Sequence, residues 1–266
     1  MTTPSANSSR IGALRIGLAA VVLAIVAAGA FGLWYIFLRP SGPAAVADAS
    51  LVVPSRAPAT SSAGSSAAAT SSGSSSPGTL SGGIDGTWNV DTSIGSFSDF
   101  SDSFVGYRVQ EQLASVGGNT AVGRTPAVSG SLTIAGTKVT AVTIQADLTG
   151  LKSDDNRRDG QLSHQGLETS SYPTATFSLS SPIDLGSVPA DGAEVSVTAT
   201  GKLTLHGQTK DVQIPLKAKL SGNTIVVTGS LEIAFADYGI SKPNSFAVLS
   251  IADTGTLELQ LFFSKA

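Results

Sequence analysis

The chain of 266 residues contains no cysteine. That excludes disulfides, thiolate zinc sites, Fe–S ligation, c-type haem attachment and a cysteine nucleophile. It also excludes the modified cysteine that tethers bacterial lipoproteins. Histidine is scarce too: only His164 and His206 occur, too few for a multi-histidine metal site. Charged residues make up 13% of the chain and the net charge is −3, without the basic footprint that phosphate binding needs. No G-x-S-x-G nucleophile elbow, P-loop or dinucleotide fingerprint is present. Neither a metal nor a cofactor is implied.

The remaining material falls into three zones behind a short stub, residues 1–15, that carries Arg10 and Arg15. Residues 16–38 hold no charge and are rich in Ile, Leu, Val, Ala and Phe, with Trp34 and Tyr35 near the far end. A helix of that length spans a hydrocarbon core of about 30 Å, and its aromatic residues suit the interface. The leading arginines keep the N-terminus cytoplasmic and put the rest of the chain outside the cell membrane. A cleaved signal peptide is the competing reading, because Ala28-Gly29-Ala30 and Ala45-Val46-Ala47 both resemble cleavage sites. The apolar run continues beyond Ala30 and exceeds a usual signal core, which favours an uncleaved single-pass anchor. Residues 39–83 are almost entirely Ser, Ala, Gly, Pro and Thr, so a disordered stalk is expected there, open to O-linked sugar.

Residues 84–266 carry 12 basic and 18 acidic residues, a balance of −6, which again excludes nucleic acid. Their apolar residues alternate. Val105, Tyr107 and Val109 form one such set; Ala175, Phe177 and Leu179 form another. Val195, Val197, Ala199, Leu203 and Leu205 continue the period, as do Val212, Ile214, Leu216, Ala218 and Leu220. Ile225, Val227, Leu231, Ile233 and Phe235 follow, and Leu257, Leu259, Leu261 and Phe263 close the chain. Leu132-Ile134 and Val142-Ile144 mark two further strands. Turn signals stand between runs at Ala135-Gly136, Asp191-Gly192, His206-Gly207 and Gly222-Asn223. This is mainly β structure, an antiparallel sheet with one buried face. About eight strands with short connections close most economically as an up-and-down barrel, whose interior can hold one small ligand. A two-sheet sandwich is the alternative. Asn156 to Glu168 breaks the period and reads as a short helical insert, with Ser153 to Asp155 as capping candidates.

Few residues in this zone suggest chemistry. His206 stands at a hairpin tip and reads as a turn residue. His164 lies near Asp154, Asp155 and Asp159, a set too poor in ligands for firm coordination of a divalent cation. Arg157-Arg158-Asp159 is richer. Arg158 either grips a phosphate head group or forms a salt bridge that orients the insert, and Asp159 belongs to the same question. Gly86-Thr87-Trp88 resembles the G-x-W opening of lipocalins, with the Trp plugging one barrel end.

Several motifs occur together in order: Trp88-Asn89-Val90-Asp91; Arg158-Asp159 with Leu162; and Tyr172-Pro173-Thr174-Ala175-Thr176-Phe177. Gly201-Lys202-Leu203-Thr204-Leu205-His206-Gly207 and Asp237-Tyr238-Gly239-Ile240 follow. As a set they resemble the YceI-like family of lipocalin-like, polyisoprenoid-binding barrels. The chain departs from that pattern at Gly160-Gln161, at Gly166-Leu167 and between Phe104 and Val109. The resemblance implies an isoprenoid or other apolar lipid held inside a barrel; no nucleophile, base and orienter can be assembled from the sequence, so no enzymatic activity is expected. The inward-facing residues expected to contact it are Val105, Tyr107, Val109, Phe177, Leu179, Val197, Leu203 and Leu205. On the later strands they are Ile214, Leu216, Val227, Ile233, Phe235, Leu259 and Leu261. A membrane-tethered lipid-binding protein is therefore expected, for transport, storage or protection. The alternative is a ligand-free interaction module displayed on the cell envelope. A homodimer is a further open state.

Overall fold

A computed structural model describes residues 43–46, 52–54, 83–114, 117–244, 246 and 248–266, all within one unit, Gly42–Ala266. The apolar stretch 16–38 lies outside these residues. Among the described residues no helix is long and apolar enough to cross a membrane.

Thirteen strand segments are described, all antiparallel to their neighbours. They are β1 (Gly86–Val90), β2 (Phe104–Leu113), β3 (Gly117–Thr125), β4 (Val128–Ala135), β5 (Lys138–Asp147), β6 (Lys152–Ser153) and β7 (Thr174–Leu179). The later ones are β8 (Ile183–Asp184), β9 (Glu194–Leu205), β10 (Gln208–Ser221), β11 (Thr224–Ala234), β12 (Val248–Ile251) and β13 (Thr254–Lys265). Among the described residues one α-helix, α1 (Asn156–Gln161), runs into a π-helical turn at Leu162–Gly166.

The hydrogen-bonded path β1–β4–β5–β7–β9–β10–β11–β13 returns to β1 through pairs such as Trp88↔Lys265 and Val90↔Phe263. The sheet is thus a closed eight-strand barrel, and closure rules out the two-sheet alternative. Five segments stand outside the ring of eight: β2 and β3 share ring positions, and the short β6, β8 and β12 pair with β3, β5 and β2. β13 pairs with β2 over Thr256–Gln260 and with β1 at Phe263–Lys265. β3 passes into β4 through Pro126 and Ala127, so these two lie almost end to end. Loop 91–103, between β1 and β2, folds over the outside of β13. There Asp91 N donates to Phe262 O at 2.8 Å and Gln260 Nε2 donates to Asp102 O at 2.8 Å.

Register puts the alternating apolar residues on one face, since directly paired residues point the same way across a ladder. Leu257↔Tyr107, Leu216↔Gly229, Val197↔Leu216 and Ile144↔Phe177 all face inward. Glycines make room for the largest of these. A Cβ on Gly201 would lie 2.5 Å from the Phe177 ring, and one on Gly229 would lie 2.4 Å from Leu216 Cδ2.

Two expectations need correction. Phe235 does not continue β11; it opens a 3₁₀ turn, Phe235–Tyr238, because Gly239 takes a left-handed conformation that ends it. Its ring lies over Gly255, beside Val109. Nor are all described parts of the 39–83 tract free of the barrel. Val46 is buried, and Val53 packs against Ile94, Val226 and Phe262 on the outer face. The rest of that tract lies outside the described residues.

Candidate functional site

The barrel's two ends are filled differently. At one end Trp88, Leu132, Ile134, Leu220, Ile225 and Phe263 form a buried cluster. Trp88 is 0% exposed, and its indole Nε1 donates to Ile84 O at 2.9 Å, so the ring plugs this end with its one polar atom satisfied. At the other end Ala146, Leu148, Leu203, Leu205, Ile233 and Tyr238 cluster beneath the helical insert. Val105 packs against both clusters, which places it between them. Here Val105, Ile144, Val227 and Leu259 are only partly buried although they point inward. Their side chains line an apolar interior without being fully covered.

The expected contact residues divide accordingly. Val105, Tyr107, Val109, Phe177, Leu179, Val197, Leu216, Val227 and Leu259 face inward and are partly buried. Leu203, Leu205, Ile214, Ile233 and Leu261 face inward and are fully buried. Phe235 stands at the mouth.

A cavity of about 440 Å³ opens at that mouth, between the bend after β5 and the insert. Leu148, Leu151, Leu162 and Leu167 give it apolar walls, while Lys152, Asp159 and Thr169 add polar groups. Sequence reasoning passed over these leucines. The break in alternation at Leu148-Thr149-Gly150-Leu151 was the available signal, since strand spacing cannot place both leucines on one face.

Two polar clasps hold the insert across this cavity. At its start Asp155 caps α1, accepting from Arg157 N at 2.8 Å. Arg158 turns away from the cavity and pairs with Glu111 Oε1 at 2.6 Å and with Asp154. Burial alone would lower the Arg158 pKa, but the charges of Glu111 and Asp154 outweigh it and raise the value. Glu111 Oε1 also accepts from Asn119 Nδ2 at 2.6 Å. Asp159 points the other way. Its Oδ1 accepts from Ser153 N at 2.9 Å and Ser153 Oγ at 2.6 Å, while its Oδ2 is buried without a hydrogen-bond partner. The neighbouring residues Arg158 and Asp159 thus do separate jobs.

At the insert's far end Glu168 Oε2 lies 3.1 Å from His206 Nε2. His206 Nδ1 lies 3.0 Å from Tyr238 O; a carbonyl only accepts, so Nδ1 carries the hydrogen. The Tyr172 ring packs against this imidazole, tilted by 53°, with 4.3 Å between ring centres. Both Glu168 and His206 have positive φ, +46° and +51°, a strain held by these contacts. His206 therefore locks the insert to the β9–β10 hairpin. Near Arg158 and Asp159 the Tyr107 ring covers Gly123 and meets Leu151; its hydroxyl is buried without a hydrogen-bond partner, and burial raises its pKa. Among the described residues no group of three or more His, Asp or Glu is placed to hold a metal ion.

No match is found among curated proteins. Among solved structures the chain is similar to a polyisoprenoid binding domain from Saccharophagus degradans implicated in plant cell wall breakdown. That likeness has 22% identity and a TM-score of 0.52, covering 68% of this chain and 98% of the other. Similarity extends to BcnA of Burkholderia cenocepacia, with 23% identity, a TM-score of 0.47, and 60% and 95% coverage. It extends also to a YceI protein of Campylobacter jejuni, with 14% identity, a TM-score of 0.46, and 54% and 84% coverage. The first of these likenesses supports the barrel fold. The model of the YceI-like domain matches residues 88–263, most of the chain and nearly all of the ring, and the chain belongs to that family.

Proposed function

We propose that this chain is a membrane-tethered, extracytoplasmic binding protein that holds an isoprenoid or related apolar lipid in its barrel. Transport, storage or protection of that lipid would be its task. The observation that carries the reading is the partly buried inward-facing set Val105, Ile144, Val227 and Leu259, which packs on the Trp88 cluster and, through Val105, on the cluster at the other end. Lining of this kind gains about 25 cal/mol for each Å² of apolar surface that a lipid covers. The YceI-like family is a binding fold rather than an enzyme family. The tether rests on the uncharged stretch 16–38.

The mouth suggests which head group fits. Arg158 is occupied by two carboxylates, whereas Asp159 lines the cavity and its buried Oδ2 has no hydrogen-bond partner. A head group that donates a hydrogen bond, such as an isoprenoid alcohol or a quinol, suits that oxygen. A prenyl phosphate would set a second anion against it.

Native mass spectrometry on protein extracted in gentle detergent tests the reading. The expected spectrum shows a co-purified lipid, or uptake of an added prenol in preference to the matching prenyl phosphate. A clean apo mass with no uptake of either would instead favour a ligand-free interaction module. Alkaline carbonate extraction tests the tether separately: the full chain should stay in the membrane pellet.

A further inference from the structure

The outer face of the barrel carries a buried charge cluster that the interior site does not use. Glu258 on β13 is flanked by Arg108 on β2 and Arg124 on β3. Its side chain is 1% exposed and that of Arg124 is 4% exposed. Gly106, the register partner of both Glu258 and Arg124, creates the space. A Cβ there would lie 2.7 Å from Arg124 Cγ and 2.4 Å from Gly123 O. The Arg124 guanidinium stacks on Phe104 at 4.2 Å and on Phe100 at 4.7 Å. Two guanidiniums around one carboxylate leave N–H donors over, and buried donors need acceptors.

Residues from the Ser/Ala/Pro/Gly tract supply them. Arg124 Nη2 donates to Ala44 O at 2.9 Å, and Arg108 Nη2 donates to Pro43 O. In return Val46 N donates to Glu258 Oε2 at 3.2 Å. The slot thus reads peptide backbone in both senses, through its arginines and through its carboxylate. A second contact follows on the same face, where Val53 meets Phe262, four residues along β13 from Glu258. At about 3.3 Å per residue the two contacts stand about 13 Å apart, within reach of the chain that joins them.

We propose that Arg108, Arg124 and Glu258 form a docking slot for this chain's own segment Pro43–Val46, and that Val52–Pro54 extends the docked strap. The tract is then not one long stalk. Val53 lies on the barrel, and so does Gly83, whose carbonyl accepts from Lys265 Nζ at 3.0 Å. The docking itself does not depend on the anchor.

The absence of cysteine makes the test clean. A nitroxide is attached to Ala44→Cys, a position whose own side chain is exposed, and to Ala67→Cys in the same tract. Electron paramagnetic resonance of the full chain in detergent then reads local motion at each site. Docking gives a broad, slow-motion spectrum at residue 44 and a sharp one at residue 67. Adding Val46→Asp, which sets a carboxylate against Glu258 outside the barrel, should shorten the correlation time at residue 44 several-fold. Circular dichroism should meanwhile show an intact barrel. A sharp spectrum at residue 44 without that substitution would overturn the proposal, and so would a broad one that Val46→Asp leaves unchanged. Neither result bears on whether residues 16–38 enter a membrane, which carbonate extraction decides.

Discussion

Replacing Arg158 with alanine separates a structural clasp from a head-group site, and the geometry sets the size of the effect. The Arg158 side chain is 16% exposed and that of Glu111 is 6% exposed, with 2.6 Å between the charged atoms. Breaking a buried pair from one side costs about 3–5 kcal/mol, because the remaining charge is stranded. Asn119 still donates to Glu111, which moves the figure to the low end, about 3 kcal/mol. The contact with Asp154 adds little, since that carboxylate is 40% exposed. For a domain of this size each kcal/mol moves Tm by about 2–4 °C, so Arg158→Ala should melt about 6–12 °C lower. Thermal melts followed by circular dichroism, backed by urea titration, give the number. The double variant Arg158→Ala with Glu111→Gln should recover much of the loss, because no buried charge is then left unpaired. A single variant melting within a degree of the parent, yet defective only toward phosphorylated lipids, would refute this reasoning and return Arg158 to the head group.

Two more substitutions probe the frame around the site. Trp88→Ala should cost about 3–5 kcal/mol, since it opens a void at the closed end and frees Ile84 O, and urea unfolding would show the drop directly. An unchanged midpoint would mean that the plug does not bear on the fold. Asp102 concerns pH: burial pushes its pKa up to about 6 from an ordinary 3.8, and its Oδ1 has no hydrogen-bond partner. A raised folded-state pKa means that the folded form binds the extra proton. This contribution is therefore full below about pH 4 and lost as pH rises through about 6. Asp102→Asn keeps the neutral form, so its stability relative to the parent should rise across that window, by up to about 3 kcal/mol at pH 7.5. A difference that stays flat from pH 4 to pH 7.5 would contradict it.

The ring was legible in the sequence because each of its strands buries one face, and a period of two is hard to produce otherwise. Closure was inferred from the economy of edges, and the β1–β13 pairs supply it. Phe235 was misread because an apolar residue opening a turn looks the same as one continuing a strand; only Gly239, four residues later, marked the difference. The mouth was less legible. Its leucines sit on a bend and a π-helical turn, where neither strand nor helix spacing applies. Of the two partners of Arg158, Asp154 stands four residues away and within reach of sequence reasoning, whereas Glu111 is 47 residues away and could not be read. Low-complexity composition misled in the opposite direction. Such a tract lacks the apolar area to fold alone, yet a few of its backbone groups suffice where a folded surface already presents buried donors.

The insert joins these observations. Its helix, α1, has no buried residue of its own, so core burial contributes little to holding it. Its position depends on Arg158 at one end and on Glu168 with His206 at the other. Both contacts are polar and local, and each involves a residue outside the insert, on β2 or on the β9–β10 hairpin. Opening it breaks these clasps, the packing of Leu167 on the apolar cluster at that end of the barrel and the bond from Asn244 N to Gln165 Oε1, but no strand ladder, so it costs less than opening a barrel strand. The cavity it covers contains Leu148, Leu151 and Leu167, which also pack on the apolar cluster at that end of the barrel. The mouth is thus the end at which the interior can be reached with least disruption. Trp88 makes the opposite end the most costly to open, because its ring is fully enclosed and its indole is bonded. The direction of access follows from that asymmetry.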